Sequence, residues 1–336
     1  MNRYSLSRSE EGEEGDCLKK TKETREEKMS RIQEKLLTST KEIFESEKYA
    51  EYIATMAKFP HYSINNCILI ASQCPTASLV CGYKKWQTDF NRTVNKNEHG
   101  IMIIAPIKYK ADVEEPMFDE NAHPILDENG KQKKEKVQRE FQGFRPAYVF
   151  DLQQTSGEPI PSLATLLDAA VDDFETLKEL VIKVCPVPVE FSADTGSANG
   201  YYSPSEQKIV IKDGMPELQT IKTMIHECAH ARLGHGGEDD KWDRQTKEVQ
   251  AESVAYWVSS MLNLDTSDYS FGYIAGWSKD KEVSELKENL ELIKNTADEM
   301  SSIIEEELLK RKEEAQVTEE NTPARRKSRE RFLKYF

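Results

Sequence analysis

Residues 226–230 read HECAH, and residues 248–252 read EVQAE. In a helix, residues four apart lie on one face. His226 and His230 would therefore present two imidazoles to one point, and two imidazoles can share a divalent metal. Glu227, beside the first, can serve as general base toward a water at that metal. A catalytic zinc site needs a third protein ligand and leaves a fourth position open. Glu248 and Glu252 are also four apart, and either carboxylate could supply the third ligand. If Glu248 ligates, Glu252 can accept the free ring N–H of a histidine ligand and fix its tautomer. That division of labour favours Glu248. HExxH alone is a weak signal. The second acidic motif, a short distance on and on a predicted helix, strengthens it. His235 reads as an exposed residue just past a helix end, and Asp239, Asp240 and Asp243 read as a solvated loop.

These side chains need two helices to position them. Leu218, Ile221, Met224, Ile225 and Cys228 give the first its apolar face, and Gly234, Gly236 and Gly237 end it. Residues 245–262 form the second. Upstream, helical patterns run from 163 to about 184, and PVPVEFS reads as extended chain. GYYSPSEQKIVIKDG predicts a hairpin, Tyr201 and Tyr202 against Ile209 to Ile211. Downstream, Leu286, Leu290, Ile293, Ala297, Met300 and Ile304 share one face of a helix over 282–310.

The N-terminal half reads differently. A helical pattern runs from Ile32 through Leu36, Ile43, Phe44 and Ile53 to Met56. A helix from an N-cap at Ser63 to about Gln73 follows, then a short helix within 82–90. IMIIAPI, 101–107, is a buried strand, and 137–152 could pair with it. The charged stretch 111–136 predicts an exposed loop. The turn-rich segment 153–162 marks a domain boundary. The expected division is a disordered charged N-terminus (1–27), one domain over 28–155, a second over 156–310, and a basic mobile tail (311–336). The fold class is α+β, a mixed α/β domain followed by a helical domain with a small sheet.

The 336 residues are 38% hydrophobic and 32% charged, with a net charge of −14. A chain this acidic is not coated with nucleic acid, but a local basic surface can exist. No apolar run is long enough to span a bilayer, and the N-terminus holds no hydrophobic leader. The six cysteines show no paired spacing and read as reduced thiols in a cytoplasm, with Cys67 and Cys228 as core residues. Residues 58–110 carry seven basic side chains against two acidic ones, interleaved with aromatics. Single-strand binders combine such a basic groove with stacking rings. The blander reading makes Trp86 and Phe90 core residues and the lysines a solvated face.

Taken in order, YSINNCILIASQCPTASLVCGYKKWQ, IMIIAPI, VFDLQQTSG, GYYSPSEQKIVI, HECAH, EVQAESVAYWV and FGYIAGWSKD resemble the ArdC/LtrC-like antirestriction family of mobile elements. The resemblance covers about residues 30–300. It implies an N-terminal single-stranded-DNA-binding domain and a C-terminal zincin-like (minigluzincin-type) metallopeptidase domain of the ImmA/IrrE kind. Carried over, His226, His230 and Glu248 bind Zn2+ and Glu227 is the general base. In related zincins an edge strand holds the substrate peptide, a role for the hairpin at 201–211; Tyr201 or Tyr202 could stabilise an oxyanion or simply pack. The resemblance directs attention to Lys84, Lys85, Arg92 and Lys96 as phosphate contacts, Tyr62 and Tyr83 as stacking rings, and Asn66 beside them. The basic segment from Arg325 to Lys334 could add affinity. VNKNEHG departs from the family's glycine-containing turn by placing Asn97 where a glycine is usual, but asparagine tolerates the left-handed backbone.

The leading expectation is a cytoplasmic zinc peptidase acting in conjugation or antirestriction, with single-stranded DNA and an unknown peptide as partners and no membrane. Its rivals are a regulatory protease that cleaves a repressor, and a non-catalytic DNA-binding protein with structural zinc.

Overall fold

A computed structural model describes residues 23–45, 48–120, 123–160 and 174–318. The expected disorder over 1–22, the helical pattern of 163–173 and the tail from 319 lie outside the described residues.

Three helices come first among the described residues: α1 (Arg25–Glu45), α2 (Tyr49–Met56) and α3 (Ile64–Gln73). α1 starts before the expected residue 28. Thr24 and Glu27 exchange side-chain-to-backbone hydrogen bonds at its first turn, the reciprocal cap that T-x-x-E makes possible. The pattern from Ile32 to Met56 divides into two helices, because Lys48 leaves helical geometry at φ −92°, ψ 12°. Ser63 caps α3 by accepting the Asn66 N–H.

α3 lies along a sheet of order β1-β4-β3, built from β1 (Val80–Gly82), β3 (Ile101–Pro116) and β4 (Lys134–Asp151). Two side-chain amides on α3 clamp the edge of β3. Asn66 both donates to and accepts from the Ile104 backbone, each at 2.9 Å, and Gln73 does the same for Met102. An exposed strand edge is thereby satisfied. Between these strands lie α4 (Tyr83–Thr88) and β2 (Arg92–Val94).

The expectation of an exposed loop over 111–136 holds only in part: its described residues are exposed or half-buried, but strands take its two ends, 111–116 and 134–136. β3 and β4 pair continuously from Ile101↔Val149 to Pro116↔Lys134. Further bridges, Phe118↔Pro124 and Leu126↔Gln132, carry the pairing onward. The segment is an antiparallel arm, with Tyr109 and Phe141 stacked at 5.8 Å on one face. The boundary placed at 153–162 also shifts. β5 (Thr155–Gly157) pairs with β2, so the chain to Gly157 belongs with the first half.

The second half holds α5 (Phe174–Val184), β6 (Val189–Ser192), β7 (Gly200–Ser203), β8 (Lys208–Lys212), α6 (Glu217–Arg232), α7 (Arg244–Met261), α8 (Ile274–Ser278) and α9 (Val283–Thr318). The predicted hairpin is β7–β8, and β6 joins β8 in parallel to give the order β6-β8-β7. β7 is thus an edge strand. α9 extends past the expected end at 310: residues 311–318 are helical, not a mobile tail, and Arg311 pairs with Glu179 and Glu307. The six apolar residues predicted for its face are all buried, worth about 1.5–3 kcal/mol for each large side chain.

One apolar core joins the two halves. Phe44, Tyr49 and Ile53 from α1 and α2 share it with Val254, Trp257 and Trp277. Phe44 and Trp277 rings lie 5.6 Å apart, and the Tyr49 hydroxyl bonds Ser253 Oγ at 2.8 Å. The architecture is mixed α+β with small sheets. Among the described residues, no helix is long and apolar enough to cross a membrane.

Candidate metal centre

α6 buries Ile221, Met224, Ile225 and Cys228 on one side and turns His226 and His230 to the other. Their Nε2 atoms stand 3.1 Å apart. α7 runs back across α6 and brings Glu248 Oε2 to 3.6 Å from His226 Nε2 and 3.8 Å from His230 Nε2. Donor atoms bound at 2.0–2.1 Å to one tetrahedral ion stand about 3.3 Å apart. Two nitrogens and one oxygen at this spacing fit such an ion, and these three residues form the only group of its kind among the described residues.

The turn between the helices makes the convergence possible. Gly234 and Gly236 take φ of 68° and 76°, the left-handed region that glycine enters freely. A Cβ on Gly236 would also meet the Pro204 ring at 2.7 Å. The expected solvated loop of aspartates is ordered. Asp240 accepts from the Gly236 and Trp242 N–H groups and from Lys247. Asp243 caps α7 by accepting the Thr246 N–H at 2.8 Å. Neither belongs to the cluster of His226, His230 and Glu248.

His235 is the main residue the sequence reading misplaced. It is buried, 4% exposed, and it takes the role assigned to Glu252. His230 Nδ1 lies 2.8 Å from His235 Nδ1, and His235 Nε2 lies 2.9 Å from Gln250 Oε1. Gln250 Nε2 donates to Asn289 Oδ1, and Asn289 Nδ2 donates to the Glu285 backbone carbonyl. The carbonyl can only accept, so the direction of the whole chain is set. Gln250 offers its oxygen to His235, so His235 carries its proton on Nε2. Burial holds His235 low, at about 4, against the opposing hydrogen bond to Gln250. It is therefore neutral, and its Nδ1 lone pair receives the proton on His230 Nδ1. His230 Nε2 is left bare and aimed at the metal position.

Glu252 instead accepts a hydrogen bond from the Tyr273 hydroxyl, and no hydrogen bond joins it to either imidazole among the described residues. Burial raises its pKa, with the Tyr273 bond opposing.

Charge is divided across the site. The imidazoles of His226 and His230, beside its carboxylate, hold Glu248 well below the usual carboxylate range. Burial works to lower His226, but the nearby carboxylates of Glu248, Glu227 and Glu252 outweigh it and raise it. Burial pushes Glu227 up, against the pull of His226, His230 and a backbone hydrogen bond from Tyr202. The Tyr202 bond places β7 beside the carboxylate. A cleft of about 340 Å³ opens between them, lined by His226, Glu227, Lys222, Glu252, Asp268 and Tyr269 among others.

The residues expected to meet DNA divide. Tyr83, Lys84, Lys85 and Lys96 are exposed. Tyr62 is half-buried against the core, edge-on to Phe59, and its hydroxyl donates to the Val80 carbonyl. Asn66 is spent on Ile104. Arg92 is spent on β5: it bonds Thr155 through Nε and Nη2 and the Gly157 and Glu158 carbonyls through Nη1. Trp86 is core, fully buried with its indole N–H on the Phe150 carbonyl. Asn97 takes φ 68°, so the turn survives without glycine. An aromatic row that sequence reading missed lies on β4. Phe144, Tyr148 and Phe150 alternate and so share a face. Phe144 and Tyr148 are exposed, and Tyr83 meets Phe150 edge-on. Their period-two spacing was the available signal.

Residues 19–150 match the family described as the N-terminal domain of anti-restriction factor ArdC. An uncharacterised protein of Bacillus anthracis is 28% identical over 329 residues, 88% of this chain. The chain spans 55% of that relative's length. Two crystal structures of the antirestriction ArdC protein from plasmid R388 are also similar. The metal-free one is 20% identical with a TM-score of 0.39, covering 74% of this chain and 84% of that one. The Mn(II)-bound one is 16% identical with a TM-score of 0.40, covering 74% and 85%.

Proposed function

We propose that this chain, whose residues 19–150 match the N-terminal domain of anti-restriction factor ArdC, is a zinc-dependent peptidase of a mobile element that also holds single-stranded DNA. The reading rests on the convergence of His226, His230 and Glu248 on one point, with Glu227 beside it in an open cleft. A structural site is closed by four protein ligands, whereas this one gathers three among the described residues. The same geometry favours the C-terminal half as a zincin-like domain.

A zinc ion held by these three residues supplies Lewis acidity, polarising a carbonyl and acidifying a water. The chain's own residues do the rest. Glu227 takes a proton from the attacking water on its carboxylate and passes it to the departing amine nitrogen. β7, an edge strand without a further strand on its outer side among the described residues, can pair with an extended peptide. His235 and Gln250 keep the His230 donor atom bare. Glu227→Gln should retain bound zinc and lose about 10²–10⁴-fold in peptide cleavage. A mass-spectrometric peptide-library digest reads the loss, and equal cleavage by the two proteins removes the general-base role.

The DNA surface is supported by Tyr83, Tyr148 and Phe144 with Lys84 and Lys85 at the end of the row. Exposed rings at strand spacing suit successive bases, and the two ammonium groups suit phosphates. Fluorescence titration with a single-stranded oligonucleotide should give affinity that falls steeply with salt. Lys84→Ala with Lys85→Ala should reduce the slope by about 1.4, or 0.7 per lost contact. No binding at low salt would set the DNA role aside.

A further inference from the structure

Lys222 sits on α6 one turn before His226 and lines the same cleft. Its side chain is only 6% exposed, an unusual place for an ammonium group. Asp268 accepts its hydrogen bond, and the Tyr269 ring centroid lies 5.2 Å from Nζ. The two members of the ion pair are unlike. Lys222 is fixed on a packed helix and meets solvent only at the cleft. Asp268 lies on the connection between α7 and α8, with its side chain 57% exposed.

We propose that Lys222 is a specificity-determining residue that receives a substrate carboxylate, and that Asp268 occupies this subsite from within the chain until substrate arrives. The inference rests on the peptidase reading and names the class of peptide: one bearing a carboxylate close to the scissile bond. When a ligand enters, the partner that can leave cheaply is Asp268, because its carboxylate returns to water. A carboxylate then replaces it like for like, and the ammonium keeps a charged acceptor. A cationic or neutral group would leave a desolvated ammonium unpaired. An ammonium carries three donors, so it can hold an incoming oxygen before releasing Asp268. The carboxylate could be an Asp or Glu side chain or the peptide's own C-terminus.

Acetylated hexapeptides test this against the full-length zinc-loaded chain: one with a central Glu and an amidated end, its Gln twin, and an uncharged sequence with a free C-terminal carboxylate. Binding is measured by calorimetry on the Glu227→Gln protein, so that cleavage is not needed. The Glu or free-carboxylate peptide should bind about tenfold or more tighter than the Gln twin, and whichever does so identifies the source. Lys222→Met, which keeps the apolar stem against Tyr269, should abolish the difference. Asp268→Asn, which leaves Lys222 in place, should tighten carboxylate binding. Equal binding of the charged and neutral peptides, no binding of any, or discrimination that survives Lys222→Met overturns the proposal. Discrimination that persists in a wild-type protein unable to cleave any library peptide overturns the peptidase reading and leaves the subsite standing.

Discussion

A single buried proton arrangement decides which face of His230 a metal can use. The run of hydrogen bonds from the Glu285 carbonyl through Asn289, Gln250 and His235 ends on His230 Nδ1. Breaking it in the middle tests it without touching a ligand. Gln250→Leu removes the acceptor for His235 Nε2–H and the donor to Asn289. His235 can then switch tautomer, and His230 loses the partner that kept Nε2 free. Zinc affinity should fall about 10–100-fold, read by competition with a chromophoric chelator, and unchanged affinity would refute the relay. HECAH and EVQAE were legible because a four-residue repeat maps onto one helical face. His235 was not, because it lies past the helix end, where sequence gives no periodicity. Only the fold of the glycine turn puts its ring under α7. Tyr273 was hidden for a related reason: 21 residues of chain separate it from Glu252, and no local pattern links them.

At the scale of elements, the turn joining α6 and α7 must bring two helices to within one metal's reach. Asp240 is its keystone. Burial pushes its pKa up, but the Gly236 N–H, Lys247 and the Trp242 N–H outweigh that and hold it at about 2. The ordinary value is 3.8, so the folded chain binds this proton more weakly than the unfolded chain. The stabilisation is fully present above about pH 4 and fades as pH falls toward 2. Asp240→Asn should lower the melting temperature at pH 7, and the gap to wild type should close as the medium is acidified through that window. A gap independent of pH would mean that packing, not charge, carries the effect. The helices of this region were readable from sequence, as were β7 and β8. The β3–β4 arm was not. Beyond the sheet both of its faces meet water, so Val113 and Val137 pair amid charges, without the strong alternation that marks a half-buried strand.

At the scale of the molecule, the reading of two domains divided near residue 156 predicts two unfolding events, and the packing predicts one. Tyr49 is fully buried against Phe271 and bonded to Ser253 on the half that carries the candidate metal centre. Lys294 on α9 donates to the Pro60 carbonyl. Phe44 closes over Trp277, and Trp277 in turn bonds Thr246 at the start of α7. Stripping α1 and α2 from this core would expose rings that have no other cover among the described residues, so neither half can lose structure without opening the other. Scanning calorimetry should show one transition with equal calorimetric and van't Hoff enthalpies, and fluorescence and far-UV dichroism should melt together. Zinc at 100 times its dissociation constant should raise the stability of the whole chain by about 2.7 kcal/mol. The β3–β4 arm, far from the metal in sequence and outside the shared core, should move with the rest up to the register of Ile101 and Val149. Two resolved peaks, with zinc shifting only one, would show that the halves fold independently. It would also remove the route by which a ligand on the N-terminal surface could influence the centre, since coupling between two sites needs a structural equilibrium common to both.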